Sequence, residues 1–349
     1  MTDPARSSDG YLADIAAQPD ALLRHADSEL PATLAGLDLG QYDRIVLTGM
    51  GSSLHSFVPV ERALAAAGLP VWRIDSGQLL DTPQRITPGT LLWATSQSGR
   101  SGEIVALLEA LTPATRPRTL LATTDDPTSP LAAAADILVL LHSGPEATVS
   151  TKSYLNTLAA HRRVLAALRG ADDLAVTEDL RQCAGALRRL LAGPPAIADV
   201  AKRALSATHP RFALVGTGDD AATALTGALI TKEASRVAAE GYVGGAFRHG
   251  PLELAGPGLT AVLFGPGDAQ DPVLPALAHD LSGTGSTVIT VGPRAYPGSE
   301  LLATPADRGT FGRLAIGIAQ VQLLTVALAQ TAGNVPGEFR FGRKITDTL

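Results

Sequence analysis

The sequence predicts a doubly wound α/β fold built as two similar halves, and three observations carry that expectation. Short apolar runs alternate with helical patterns of ten or more residues, the signature of parallel strands joined by crossover helices. Two of the runs, Arg44–Leu47 and Leu91–Ala94, break abruptly into polar turns, Thr48-Gly49-Met50-Gly51-Ser52-Ser53 and Thr95-Ser96-Gln97-Ser98-Gly99-Arg100-Ser101, and each turn opens a helix. The arrangement then restarts, because Phe212–Val215 runs into Gly216-Thr217-Gly218-Asp219-Asp220 just as Arg44–Leu47 runs into its own glycine turn.

Taken in order, Met1–Gly10 reads as a disordered lead-in of small and polar residues. Tyr11–Leu37 has helical spacing, with a break near Pro19. Strands are predicted at Arg44–Leu47, Pro70–Ile74, Thr90–Thr95, Thr119–Thr123 and Ile137–Leu141. A polar loop, Gly144–Thr157, enters a helix reaching about Leu168, and a second helix covers Leu174–Leu191. Gly193-Pro194-Pro195 then reads as a domain boundary. Beyond it, Phe212–Val215, Thr260–Phe264 and Thr287–Val291 read as strands, Ala221–Ala239 as a helix and Thr310–Thr331 as a long apolar helix.

Composition narrows the function. At 349 residues the chain can bury a large core, and two domains is the natural expectation. A net charge of −6, a pI near 5.6 and the lack of any basic run argue against a nucleic-acid surface. The single cysteine, Cys183, excludes an intramolecular disulfide and a cysteine-based zinc site. No signal sequence is evident, and no apolar run was expected to reach the roughly 18 residues of a membrane span. A soluble, cytoplasmic protein without nucleic-acid or membrane partners follows as the expectation. No His/Asp/Glu cluster has metal-ligand spacing, so neither metal nor cofactor is expected.

The two Gly/Ser turns carry the first chemical hint. A helix N-terminus presents unpaired N–H groups and the positive end of its dipole. With hydroxyls around it and Gly99 allowing close approach, Leu91–Val105 reads as an anion cradle, most naturally for phosphate. Nothing matches a nucleotide P-loop, since no Gly-Lys-Ser/Thr follows. Ligands of doubly wound sheets bind beyond the carboxyl ends of the strands, where both turns fall.

Five motifs occurring in order resemble the sugar isomerase (SIS) family. They are GMGSS at Gly49–Ser53, SQSG at Ser96–Gly99, VSTK at Val149–Lys152, KEASRVAAEGYVGGAFRHGP at Lys232–Pro251, and the tail Arg343-Lys344-Ile345-Thr346. The resemblance spans about Tyr42–Leu349 and is to double-domain members, among them the isomerase half of glutamine–fructose-6-phosphate amidotransferase, related deglycases and phosphosugar isomerases. It implies two tandem flavodoxin-like SIS domains, each a parallel sheet flanked by helices, plus a C-terminal tail. The corresponding boundaries are an N-terminal helical segment 1–40, domains 41–193 and 194–332, and a tail 333–349 over the active site.

By resemblance, Gly51, Ser52, Ser53, Ser96, Gln97, Ser98 and Ser101 bind the sugar phosphate, while Ser150 and Thr151 line the sugar. Arg100 departs from the glutamate common in the amidotransferase, and either adds charge beside the phosphate or faces solvent. Glu233 matches the carboxylate that moves a proton between adjacent sugar carbons, work that needs one base serving both through an enediol. His249 matches the histidine that helps open the sugar ring, and in the family it comes from the partner subunit, implying a homodimer. Glu240 is expected to hold the loop before His249. Lys344 matches the lysine that meets the sugar carbonyl and can form a Schiff base, on a tail with no local reason to be ordered.

Two absences limit the carry-over. No glutaminase domain or N-terminal catalytic cysteine is seen, so ammonia from glutamine is not expected. Ile230 replaces a lysine one helical turn before the catalytic glutamate. The leading expectation is therefore aldose–ketose isomerisation of a phosphorylated sugar or amino sugar. Its alternative is C–N cleavage of an amino or glycated sugar phosphate, and a non-catalytic phosphosugar sensor is a third reading. Residues 1–40 are too short for a DNA-binding helical domain.

Overall fold

The computed structural model of the chain describes residues 8–194, 197–267, 271–305 and 309–348. Pro195, part of the expected boundary, and residues 1–7 of the expected lead-in lie outside those residues. Ser8–Gly10, expected to be disordered, already belong to the first helix, α1 (Ser8–Ala16). After a break at Ala17 the chain continues in α2 (Gln18–Ala26), with Pro19 in the first turn, where its missing N–H costs nothing. Leu34 sits in a short 3-10 turn instead of extending the helix.

All five strands expected in the first half are present: β1 (Arg44–Gly49), β2 (Val71–Asp75), β3 (Thr90–Thr95), β4 (Thr119–Thr124) and β5 (Ile137–Leu140). They pair in parallel in the order β2-β1-β3-β4-β5. Between them run α3 (Ser52–His55), α4 (Val58–Ala66), α5 (Ser76–Asp81), α6 (Gly102–Ala110) and α7 (Pro130–Ala134). Two longer helices follow, α8 (Lys152–Leu168) and α9 (Asp173–Ala192). Strand residues alternate between two cores, one holding Ile45, Leu47, Leu91, Trp93 and Leu121, the other Val46, Leu92, Ala94, Leu120 and Ala122. Both faces are thus buried, which is why these strands read as continuous apolar runs instead of alternating ones.

The second sheet repeats the topology. It comprises β6 (Arg211–Gly216), β7 (Ala239–Val243), β8 (Leu259–Phe264), β9 (Thr287–Gly292) and β10 (Glu300–Ala303), ordered β7-β6-β8-β9-β10 and parallel throughout. Helices α10 (Ile197–Ser206), α11 (Ala221–Ser235), α12 (Val273–Ser282) and α13 (Gly309–Thr331) accompany it.

Two strands of this half, β7 and β10, were not expected from the sequence. The reason for β7 is visible at Arg236. The expected helix Ala221–Ala239 stops at Ser235 because Arg236 takes a left-handed conformation (φ 61°) and closes the helix through its N–H on the Lys232 carbonyl. Its guanidinium donates to Asn334 Oδ1 (3.1 Å), the Glu338 carbonyl (2.9 Å) and Glu338 Oε2 (2.9 Å). These long-range partners override the helix-favouring run Val237–Glu240, which pairs with β6 instead. Glu240, expected to hold a loop, lies exposed on that edge strand and accepts from the Tyr242 hydroxyl at 3.3 Å.

A further correction concerns α13. At 23 residues it is long and apolar enough to cross a membrane, against the expectation that no run reached that length. In this fold 83% of its most apolar stretch is buried, as befits a core helix.

The chain divides into two compact units. The first-sheet unit comprises 20–145, 152–181 and the chain from 342 on; the second-sheet unit comprises the N-terminal helix through 19, 146–151 and 182–341.

Candidate active site

Strand order places a topological switch point in the first-sheet unit between β1 and β3, whose following connections leave to opposite sides and open a crevice beyond the strand ends. Both polar turns emerge there, since Gly49 at the end of β1 is in register with Thr95 at the end of β3. A Cβ on Gly49 would lie 2.8 Å from the Thr95 carbonyl oxygen, so only glycine allows this approach.

The first turn passes Gly51, with φ of 49°, and enters α3 with Ser52 and Ser53, both half-buried and without a side-chain cap. The second turn is held more tightly. Ser96 N–H donates to the Thr123 carbonyl (3.1 Å), and Gly99 N–H to the Ser96 carbonyl (3.0 Å). The Ser96 and Ser101 hydroxyls pair with each other at 2.7 Å. Ser101 occupies the N-cap of α6 yet makes no cap hydrogen bond with its side chain. No side chain caps this helix start, and the hydroxyls and helix dipole there suit an anion, although the Gly102 N–H is taken by the Thr346 carbonyl. Gln97 and Ser98 lie between, half-buried, with Ser98 Oγ accepting from the Arg100 N–H at 3.2 Å.

Of the two placements the sequence left open, Arg100 takes the solvent-facing one, exposed at the surface. Its guanidinium is tied to Asp126 Oδ2 (2.9 and 3.0 Å) and to the Thr128 carbonyl (3.2 Å). Hydrogen bonds from Thr128, and then from Arg100, hold the Asp126 carboxyl below its ordinary range.

Gly99 has φ of 62°, and a Cβ there would sit 2.1 Å from Ser129 Oγ, the hydroxyl that caps α7. Gly99→Ala is expected to cost about 1–3 kcal/mol of stability, from the left-handed backbone and the displaced cap. Equilibrium urea denaturation checks this, and an unchanged midpoint would show that the turn is not rigid.

Behind the two turns stands a residue the sequence did not single out. His161, on α8, is buried; its Nε2 accepts from the Thr95 hydroxyl at 2.9 Å and its Nδ1–H donates to the Ser56 carbonyl at 3.3 Å. It stacks on Phe57 with ring centroids 4.0 Å apart. One side chain thus braces the end of β3 and the end of α3. A lone histidine on an apolar helix gives no local signal of such a role. Lys152, the last residue of the VSTK motif, is buried on the first turn of α8 and donates to the Pro145 carbonyl.

The C-terminal tail belongs to the same unit. Gly102 N–H, at the start of α6, donates to the Thr346 carbonyl at 3.0 Å, and Lys344 two residues earlier is half-buried. The tail is therefore attached to the helix that heads the cradle.

The remaining expected residues lie in the second-sheet unit. Its own switch point, between β6 and β8, is unlike the first. Asp220 is buried and paired with Arg313 (2.8 and 2.9 Å), and Thr217 donates to Asp271 Oδ2 at 2.6 Å. Burial pushes the Asp220 carboxyl up while Arg313 pulls it down. Carboxylates here oppose an anion, so among the described residues cradle chemistry is found at the first switch point.

Glu233 is half-buried on the last turn of α11, whose end is secured by the Arg236 contacts and by Gly337 N–H on the Ala234 carbonyl at 2.9 Å. Thr151 is buried, and both its N–H and its hydroxyl donate to Glu146 Oε1 (2.9 and 2.7 Å); Ser150 beside it is half-buried. The buried phenol of Tyr11 bonds Thr325 Oγ1 at 3.0 Å. Burial raises the Tyr11 pKa, and the nearby charges of Glu233 and Glu146 add to that. Tyr11 and Glu146 were not singled out from the sequence. His249 is exposed, on the 3-10 turns that follow edge strand β7, its N–H bonded to the Ala246 carbonyl at 3.1 Å.

Comparison with known proteins agrees with this architecture. The sequence profile of the SIS domain matches residues 38–167. The glutamine–fructose-6-phosphate aminotransferase [isomerizing] of Caulobacter vibrioides is 28% identical over 338 residues, covering 93% of this chain and 54% of that protein. The chain spans about half the length of the first curated relatives it matches, between 41% and 58% of each. Among solved structures, the C-terminal domain of glucosamine-fructose-6-phosphate aminotransferase from Francisella tularensis superposes with a TM-score of 0.81 at 21% identity, covering 95% of this chain and 99% of that one. Tagatose-6-phosphate ketose/aldose isomerase from Escherichia coli gives 0.77, also at 21% identity, with 94% of each chain covered. At that identity the structures speak for the fold alone. Residues 38–167 thus match the SIS domain, and the chain resembles, along nearly all its length, the isomerizing aminotransferases.

Proposed function

We propose that this protein is an enolising enzyme of phosphorylated sugars or amino sugars, an aldose–ketose isomerase acting in the cytoplasm. The observation that carries the proposal is the tail bond between the Thr346 carbonyl and the Gly102 N–H, at the helix heading the hydroxyl-lined turns. A lysine-bearing tail attached at an anion cradle suits a substrate with phosphate at one end and a carbonyl at the other. The hydroxyls of Ser52, Ser53, Ser96, Ser98 and Ser101, the Gln97 amide and the backbone at Gly51 hold the phosphate without a full cation. Ser150 and Thr151 orient the sugar hydroxyls.

The chemistry divides among three groups. His249 passes a proton to the ring oxygen as the sugar opens, which an imidazole does near neutral pH. Lys344 polarises the freed carbonyl by donating a hydrogen bond to its oxygen. Glu233 then takes the proton from the neighbouring carbon, and the carbonyl oxygen takes a proton, to give an enediol or its amino counterpart. The carboxyl exchanges its proton with solvent and returns one to the former carbonyl carbon as the neighbouring hydroxyl loses its own, which completes the transfer. His249 is exposed within its own chain, which suits a residue supplied to a second subunit in a homodimer.

Incubating the protein in D2O with fructose 6-phosphate, glucosamine 6-phosphate or fructosamine 6-phosphate, and following the C1 and C2 protons by NMR, tests the proposal. Deuterium is expected at C1 or C2 of at least one of them. Ammonia release with glucosamine 6-phosphate would replace isomerisation by C–N cleavage at the same site. Binding without exchange in all three would make the protein a sensor.

A further inference from the structure

The first helix carries buried polar groups where a packing helix normally carries an apolar stripe. Tyr11, Asp14 and Ile15 lie on one face of α1, and Gln18 at the start of α2 continues it at helical spacing. All four are buried, at 6% exposure or less. Three of them engage polar partners on separate segments of the second-sheet unit. Asp14 Oδ2 accepts from the Ala147 N–H at 2.7 Å. The Tyr11 hydroxyl bonds Thr325, and the Gln18 amide donates to Gln322 Oε1 at 2.7 Å, both on α13. The Tyr11 ring rests against Gly337, where an added Cβ would come within 2.6 Å of it.

Burying a carboxylate is costly unless its partners repay it. Asp14 spends that cost on the loop 146–151, which carries Ser150 and Thr151 and which Glu146 closes on itself through Thr151. The same helix rests Tyr11 against Gly337, whose N–H holds the Ala234 carbonyl next to Glu233 at 2.9 Å. No property of α1 as a packing element requires either placement.

We propose that α1 is part of the working site, with Asp14 and Tyr11 as positioning residues for the Glu146–Thr151 loop and for Glu233. The proposal rests on the enolising function above and adds two residues to it. Asp14 fixes the backbone from which Ser150 and Thr151 reach the sugar, and Tyr11 backs Gly337, which holds the turn of α11 that carries Glu233. Neither touches the reacting carbons.

The test uses the full chain with Asp14→Ala, Asp14→Asn and Tyr11→Phe, and three readouts. These are deuterium wash-in at saturating and limiting sugar phosphate, thermal midpoint, and amide exchange of segment 145–151. Asp14→Ala is expected to lower the saturated wash-in rate by about tenfold or more, as small misplacements of reacting groups do, with the half-saturating sugar phosphate changed by less than about twofold. Asp14→Asn keeps an oxygen for the Ala147 N–H and should recover most of the rate. Tyr11→Phe should lower the rate with little change in thermal midpoint, because Thr325 keeps its own bond to the Gln322 carbonyl. Wild-type rates in Asp14→Ala, or a loss that follows the thermal midpoint and is not rescued by asparagine, would overturn the proposal. If the wild-type chain itself shows no wash-in, the enolising function fails separately. The holding role of Asp14 is then judged by amide exchange alone: faster exchange at 145–151 in Asp14→Ala supports it, and unchanged exchange overturns it.

Discussion

Glu233→Gln abolishes proton exchange at the sugar carbons, by about a thousandfold, while sugar-phosphate affinity stays within about twofold. Glutamine has the shape of glutamate and keeps the last turn of α11 intact, including the Arg236 closure and the bond from Gly337 to the Ala234 carbonyl. It cannot accept a proton, however, so a path through an enediol loses its base. General-base removal typically costs two to four orders of magnitude, well above the effect of a changed contact. NMR exchange in D2O gives the rate, and titration calorimetry with the same sugar phosphate gives the affinity. Retained exchange in Glu233→Gln would move the base elsewhere, with Glu146 the first candidate because it holds Thr151 of the sugar loop. Loss of both exchange and affinity would mean that Glu233 binds substrate and does not act on it.

Mild acid unfolds the first-sheet unit, and two buried histidines set the slope. Burial lowers the pKa of His161 from 6.5 to about 3 and that of His25, with a contribution from Arg163, to about 3 as well. In the unfolded chain both titrate near 6.5. Their contribution to stability is complete above pH 6.5 and is lost as the pH falls from there toward 3, because only the unfolded chain takes up the protons. Each histidine contributes a slope of about 1.4 kcal/mol per pH unit within that window, so the pair gives roughly 3. Between pH 6 and pH 4.5 that is a large fraction of the stability of an ordinary domain. Urea unfolding across this range, followed by Trp93 fluorescence, measures it. Trp93 is fully buried beside His161, with ring centroids 5.1 Å apart. In His161→Gln the slope should fall by about half. A flat profile between pH 6 and 5 would show that the folded chain admits protons to these rings.

His161 also joins stability to binding, since its two hydrogen bonds end at Thr95 and Ser56, beside the two cradle turns. Loss of sugar-phosphate affinity should therefore accompany acid destabilisation before global unfolding. The Gly99→Ala substitution strains the same turn from its outer side, against Ser129.

The strands β1, β3, β4, β6, β8 and β9 were legible because buried parallel strands are continuous apolar runs, a property of adjacent residues. Edge strand β5 was legible from its apolar run Ile137-Leu138-Val139-Leu140, and edge strand β2 from Val71, Trp72 and Ile74. The two turns were legible because glycine and serine directly follow apolar runs. So was the repetition of the halves, which the identical strand orders now bear out. Strands β7 and β10 were not, because Glu240 and Gly241 in one and Glu300 in the other interrupt any apolar pattern.

What the sequence by itself determined is the α/β class, the repeated strand–turn–helix unit and the residue types at the cradle. These follow from short-range periodicity and from where glycine, serine and proline interrupt it. What only the tertiary structure decided depends on partners remote in the chain. Arg236 ends α11 because Asn334 and Glu338 receive its guanidinium. The Lys344 tail is attached because Gly102 donates to Thr346. Asp14 reaches a loop 133 residues away. In each case a hydrogen bond satisfies a polar group that would otherwise be left without a partner. Which distant group supplies that bond is fixed by the packing of sheets and helices and not by the residues on either side.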